Sequence, residues 1–142
     1  MKLRIYGLTG KYINNPELFA LGSFLISAKK QKEIEIKSKS QVIRSYGFAS
    51  DIAKFSLSWL NSNDVSDSIF AATETVSLYE LADKITKMFN LKPVKHQIDF
   101  ALPANEYTCD TEKFKKILLK YKLKTTSMED QILSTYKYLF EN

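Results

Sequence analysis

Val42 to Phe55 reads VIRSYGFASDIAKF. Apolar and polar residues alternate through its first half, the period of a half-buried strand. The alternation then gives way to Ser50-Asp51-Ile52-Ala53, where an aspartate is suited to cap the unpaired amides of a helix start. Ile52, Phe55, Leu57, Trp59 and Leu60 follow as the apolar residues of that helix, which the polar cluster Asn61 to Asp67 ends. Arg44 sits beside the turn. A forked guanidinium there can make two charge-assisted hydrogen bonds to phosphate oxygens, so this strand, turn and helix suit a phosphate-bearing ligand. A salt bridge from Arg44 to Asp51 is the plainer alternative.

Toward the N-terminus, Leu3 to Leu8 reads as a buried strand ending in the turn Thr9-Gly10. Asn15 and Pro16 suit the start of a helix whose stripe is Leu18, Leu21, Phe24, Leu25 and Ala28. Ile34 and Ile36 alternate with Glu33, Glu35 and Lys37, which predicts a short strand. Ser38 to Ser40 turns it into Val42 to Phe48 as a hairpin-like pair.

Toward the C-terminus, Ser68 to Thr73 predicts a short buried strand. Ser77-Leu78-Tyr79-Glu80 is a capping box for a helix with Leu78, Leu81, Ala82, Ile85 and Phe89 on its inner face. A loop from Lys92 to Tyr107 holds Pro93 and Pro103. Asp110 then caps Thr111 to Tyr121, and Ser127 caps Met128 to Glu141. The chain shows no internal repeat or linker, so residues 1–142 are expected to form one domain.

At 142 residues and 44% hydrophobic content the chain is long enough to bury one core. No apolar run approaches the roughly 20 residues that span a bilayer, and no signal peptide is evident, so a cytoplasmic location without membrane contact is expected. One cysteine, Cys109, excludes an internal disulfide, and with His96 alone it cannot make a four-ligand zinc site. The net charge of +5 suits an anionic partner. Its lysines, however, interleave with apolar positions at helical spacing, as in Lys113-Lys115-Lys116-Lys120, and read as solvated helix faces. The aromatic residues follow the apolar faces instead of interleaving with basic ones, so no nucleic-acid partner is expected.

These stretches, in order, resemble the substrate-binding part of the extended short-chain dehydrogenase/reductase family, the NAD-dependent epimerases and dehydratases of nucleotide-diphosphate sugars. Leu3-Arg4-Ile5-Tyr6 with Gly10 resembles the family's R-x-F-N-x-x-G strand. Phe19-Ala20-Leu21-Gly22-Ser23-Phe24 resembles the F-A-I-G-N-F helix of the branch that makes CDP-linked deoxysugars for surface polysaccharides such as lipopolysaccharide. Arg44-Ser45-Tyr46 with Asp51-Ile52-Ala53 matches R-[SD]-[YFW]-x-x-x-x-D-[LIV]-A. Val76 to Ala82 and Asp110 to Phe140 resemble the later helices.

The resemblance implies an α/β fold of short strands and about five helices: the C-terminal substrate domain plus the last sheet strands, without a complete Rossmann domain. It implies a nucleotide-diphosphate sugar as ligand, with Arg44 on the diphosphate. Phe19, Ala20 and Ser23, with Glu35 and Lys37, would lie along base and ribose. Three positions depart from the pattern. Gly7 and Phe70 stand where asparagines are expected, and Glu106 stands where a second phosphate-binding arginine is expected, a carboxylate that would repel a diphosphate. Lys95 and His96 are possible substitute charges.

In the family it resembles, hydride transfer uses a G-x-x-G-x-x-G cradle and a tyrosine followed four residues later by lysine. With four glycines, and no lysine at that spacing after any of eight tyrosines, the chain alone is expected to hold no cofactor and not to perform that redox chemistry by the family's mechanism. NAD would belong to the parent enzyme, through an N-terminal dinucleotide-binding half that is missing or separately encoded. Met1 stands directly before the first strand, so exposed strand edges and self-association are expected. The other reading is a non-catalytic binding or interaction module that keeps the fold.

Overall fold

Residues 1–65 and 68–141 are described by a computed structural model, and Ser66 and Asp67 of the polar cluster lie outside them. The hub is the strand the sequence makes most legible, β4 (Val42–Phe48). Its neighbours are β2 (Gly7–Thr9), parallel at Tyr46 to Phe48, and β8 (Asn105–Tyr107), parallel at Val42 to Arg44. Antiparallel to it runs β6 (Glu74–Ser77). β8 and β2 therefore occupy successive lengths of β4, and a junction opens between them at Ser45. β1 (Lys2–Ile5) pairs in parallel with β5 (Ser68–Ala71), and β3 (Glu35–Ile36) with β7 (Lys95–His96).

Five helices cover these strands: α1 (Ala20–Lys29), α2 (Ala49–Leu60), α3 (Leu78–Met88), α4 (Thr111–Lys120) and α5 (Met128–Phe140). Two apolar clusters result among the described residues. One joins α1, α3 and α5 through Leu21, Leu25, Leu81, Ile85 and Ile132; the other sets Phe55 of α2 against Phe114 and Leu118 of α4. Phe55 and Phe114 meet edge to face at 5.4 Å. Burying side chains of this size contributes ~1.5–3 kcal/mol each. Buried polar groups lock α5 to the β2–β4 edge. The Thr9 hydroxyl donates to Gln131 Oε1 at 2.6 Å, Gln131 Nε2 donates to the Thr126 carbonyl at 2.8 Å, and the Gly10 amide donates to Thr135 Oγ1 at 2.8 Å.

Cap chemistry held where it is local. Ser77 and Glu80 form the reciprocal capping box, and Asp110 and Ser127 accept from amides of the first turns of α4 and α5. Several expectations are corrected. The strand Leu3 to Leu8 breaks at Tyr6, because its two halves pair in different sheets. Asn15 is left-handed at φ 48° and caps nothing through its side chain; Pro16 opens a short 3-10 turn, Pro16–Leu18, ahead of α1. The hairpin of β3 with β4 does not form. The 92–107 segment comes alongside instead and contributes β7 and β8, held by bonds from the Asp99 amide to Lys39 O and from the Asn105 amide to Gln41 O, at 2.9 and 2.8 Å. Asp51 is not the cap of α2, which begins two residues earlier at Ala49. Within α2, Leu57 and Leu60 turn outward at 64% and 70% exposure, since only the Ile52–Phe55 face meets α4. In β5, Ile69 and Ala71 are buried whereas Ser68 and Phe70 face outward.

Candidate functional site

At the junction where β8 ends and β2 begins, a cavity of about 330 Å³ opens between β4 and the start of α1. Arg44 and Tyr46 line it from β4, Tyr6 and Gly7 from the entry to β2, Tyr107 from β8, and Leu18 to Gly22 from the 3-10 turn and first turn of α1. Gly7 keeps this floor low: a Cβ there would lie 2.8 Å from Cδ1 of Tyr46. Gly22 lets α1 approach the turn, since a Cβ would lie 2.1 Å from the Pro16 carbonyl oxygen. Both glycines are thus required by close approach.

Arg44 is the cation of the site. Its Nη1 donates to Ile43 O at 2.8 Å and to Asn105 O at 2.7 Å, and its Nη2 donates to Asn105 Oδ1 at 2.8 Å. These bonds use three of a guanidinium's five N–H groups, and all three acceptors are neutral. The salt bridge to Asp51 does not form. Asp51 is 2% exposed and accepts instead from the amide and hydroxyl of Thr126.

Tyr6 and Tyr107, which line the cavity, belong to a group of packed rings. Tyr107 packs on Tyr6 with centroids 4.6 Å apart, Tyr6 meets Phe70 edge-on at 6.2 Å, and Arg4 lies over Phe70 at 5.6 Å. Burial pushes the Tyr46 phenol up to about 12, against a smaller opposing pull from Arg44. Partial burial also raises Tyr6, with Cys109 and Tyr107 adding to the effect. Burial raises the Cys109 thiol too, so it is not an activated nucleophile.

Of the residues singled out in the sequence, Phe19, Ala20 and Arg44 come together on this cavity. Ser23 lies further along α1, half-buried, and does not line it. Glu35 is exposed and pairs with Lys95 at 3.5 Å, and Lys37 is exposed. His96 packs edge-on against Tyr79 at 5.1 Å and does not line the cavity. Glu106 pairs in register with Ile43, between Asn105 and Tyr107. Strand alternation therefore turns its carboxylate to the face opposite Arg44, so the repulsion expected of it does not fall on the cavity. Tyr6, Tyr46 and Leu78 also line the cavity, and nothing in their local spacing singles them out for that role.

Gly7 to Gly10 does not fit a dinucleotide. Gly7 to Thr9 is strand, and Thr9 is fully buried and bonded to Gln131, where a cradle would present free amides at a helix start. Among the described residues no group of His, Cys, Asp and Glu is arranged for a metal ion, and no helix is long and apolar enough to cross a membrane.

The mixed α/β architecture, with five helices and short strands, matches the C-terminal part of nucleotide-sugar epimerases of the short-chain dehydrogenase/reductase fold. One is UDP-glucuronic acid 4-epimerase from Bacillus cereus, solved with UDP-glucuronic acid and NAD (17% identity, TM-score 0.70, 98% of this chain and 44% of that one). Another is UDP-glucose 4-epimerase from Thermotoga maritima, solved with UDP-glucose (16% identity, TM-score 0.74, 98% and 45%). A third is an NAD-dependent NDP-hexosamine 5,6-dehydratase involved in tunicamycin biosynthesis (11% identity, TM-score 0.73, 99% and 45%). The chain spans less than half the length of each. No protein-family profile and no curated protein sequence matches it.

Proposed function

We propose that this chain is the substrate-binding half of an NAD-dependent nucleotide-diphosphate-sugar epimerase or dehydratase, and that the Arg44 cavity receives the nucleotide diphosphate. The observation that carries this reading is the convergence of Arg44 with Phe19 and Ala20 on one cavity. These are residues that the family resemblance assigns to the diphosphate and to the base and ribose. Arg44 has donors left for phosphate oxygens, and the apolar walls suit a base and ribose. A separate or preceding NAD-binding half would supply the redox chemistry, since Gly7 to Gly10 offers no dinucleotide cradle. Synthesis of CDP-linked deoxysugars for surface polysaccharide is the finer role we assign.

Calorimetric titration with UDP, CDP, UDP-glucose and CDP-glucose tests the reading. Diphosphate-dependent binding is expected, with Arg44→Ala weakening it about ten-fold or more, the scale of one charge-assisted hydrogen bond. Uridine and cytidine, lacking phosphate, should bind no better to wild type than to the variant. Absence of nucleotide binding would favour a non-catalytic interaction module, the reading to which the exposed aromatic Phe70, in place of an asparagine, lends support.

A further inference from the structure

We infer that Asn105 is a positioning residue for Arg44: it holds the guanidinium in place without cancelling its charge, so that the cavity selects an anionic phosphate. The inference rests on the phosphate reading of the cavity and deepens it. Two atoms of Asn105, its carbonyl oxygen at 2.7 Å and Oδ1 at 2.8 Å, accept from the two terminal nitrogens of Arg44. The clamp is itself anchored. β8 lies in parallel register on β4, with Val42 opposite Asn105 and Arg44 opposite Tyr107, and the Asn105 amide donates to Gln41 O at 2.8 Å.

The chemistry of the clamp is what matters. A carboxylate would order the guanidinium equally well, yet it would neutralise the cation and compete with a phosphate for the same hydrogens. Amide and carbonyl oxygens order the guanidinium and leave its full charge toward the ligand. Among the described residues Arg44 makes no ion pair. Ordering a long side chain before the ligand arrives also removes part of the entropic cost of binding. Asn105 touches Arg44 and does not line the cavity, so its effect passes through the guanidinium.

The test compares UDP affinity of wild type, Asn105→Asp, Asn105→Ala and Arg44→Ala, together with the guanidinium proton–nitrogen spectrum. Only Arg4 and Arg44 contribute arginine signals there. Asn105→Ala removes the Oδ1 acceptor but leaves the backbone carbonyl on Nη1, so it should release the hindered rotation of Nη2 in particular and weaken UDP several-fold. Asn105→Asp should keep Arg44 ordered and still weaken UDP by about ten-fold or more, because the charge is cancelled. A merely structural residue would bind UDP normally whenever Arg44 stays ordered. If both Asn105 variants fold and bind UDP like wild type while Arg44→Ala loses it, the inference fails and the phosphate reading stands. If wild type does not bind UDP, or Arg44→Ala binds it unchanged, the phosphate reading fails and takes the inference with it.

Discussion

Asp51 and Thr126, 75 residues apart, are joined by two hydrogen bonds: the Thr126 amide donates to one carboxylate oxygen at 2.9 Å and its hydroxyl to the other at 3.0 Å. The pair ties the first turn of α2, directly after the strand that carries Arg44, to the segment leading into α5. Asp51 is 2% exposed, and removing its carboxylate leaves both donors of the half-buried Thr126 without their acceptor. Asp51→Ala should lower stability by about 3 kcal/mol, read as a fall in the urea midpoint. Asp51→Asn, which keeps one acceptor, should cost less. Equal midpoints for all three proteins would contradict this account.

Gly22→Ala should be more damaging than a helix-favouring substitution suggests. The added methyl would stand 2.1 Å from the Pro16 carbonyl oxygen, so the 3-10 turn must leave α1 and take the Leu18–Phe19 wall of the cavity with it. A loss of about 3 kcal/mol is expected on the scale of overpacked cores. Thermal melting reads the loss, and nucleotide affinity should fall in parallel.

Tyr46 should titrate near pH 12. Its phenol is held protonated in the folded state, so the associated stability is fully present below the ordinary phenol value of about 10 and is lost as pH rises toward the folded value. Arg44→Ala removes the charge that favours the phenolate and should move the Tyr46 titration higher still. Carbon resonances of the ring, followed against pH, distinguish this from an unchanged titration.

Asp64 governs part of the acid limb. Hydrogen bonds from Lys120 and then Tyr121 hold its carboxyl below the ordinary aspartate range. A depressed folded value means stability is present above the unfolded value, about 3.9, and is lost as pH falls through the folded one. Asp64→Asn should therefore flatten the decline in urea midpoint below pH 4. An acid limb of unchanged slope would assign the decline to other carboxylates such as Glu129, which Lys84 lowers in the same way.

β1 and β5 pair only with each other among the described residues, and Ile5 and Phe70 are exposed at 44% and 39%. Two-stranded parallel sheets with open edges and apolar faces associate readily. We expect the isolated chain to self-associate through this sheet, with Ile5→Lys shifting it toward monomer in sedimentation velocity. A wild-type chain that stays monomeric at high concentration would refute the expectation.

Read alone, the sequence determined the α/β character, the starts of α3, α4 and α5, and Arg44 as the candidate cation. Those features are local: a capping side chain meets an amide two or three residues away, and periodicity within one segment marks its buried face. Tertiary structure alone decided which strand lies beside which. Period-two alternation says that a residue faces inward but not what it faces, so the hairpin expected of β3 and β4 yielded to pairings with β7 and β8. The same limit hid Asn105, which lies 61 residues from Arg44 in an apparent loop. Its acceptors reach the guanidinium only because the 92–107 segment folds back along β4, a contact set by long-range backbone pairing and invisible to any local pattern.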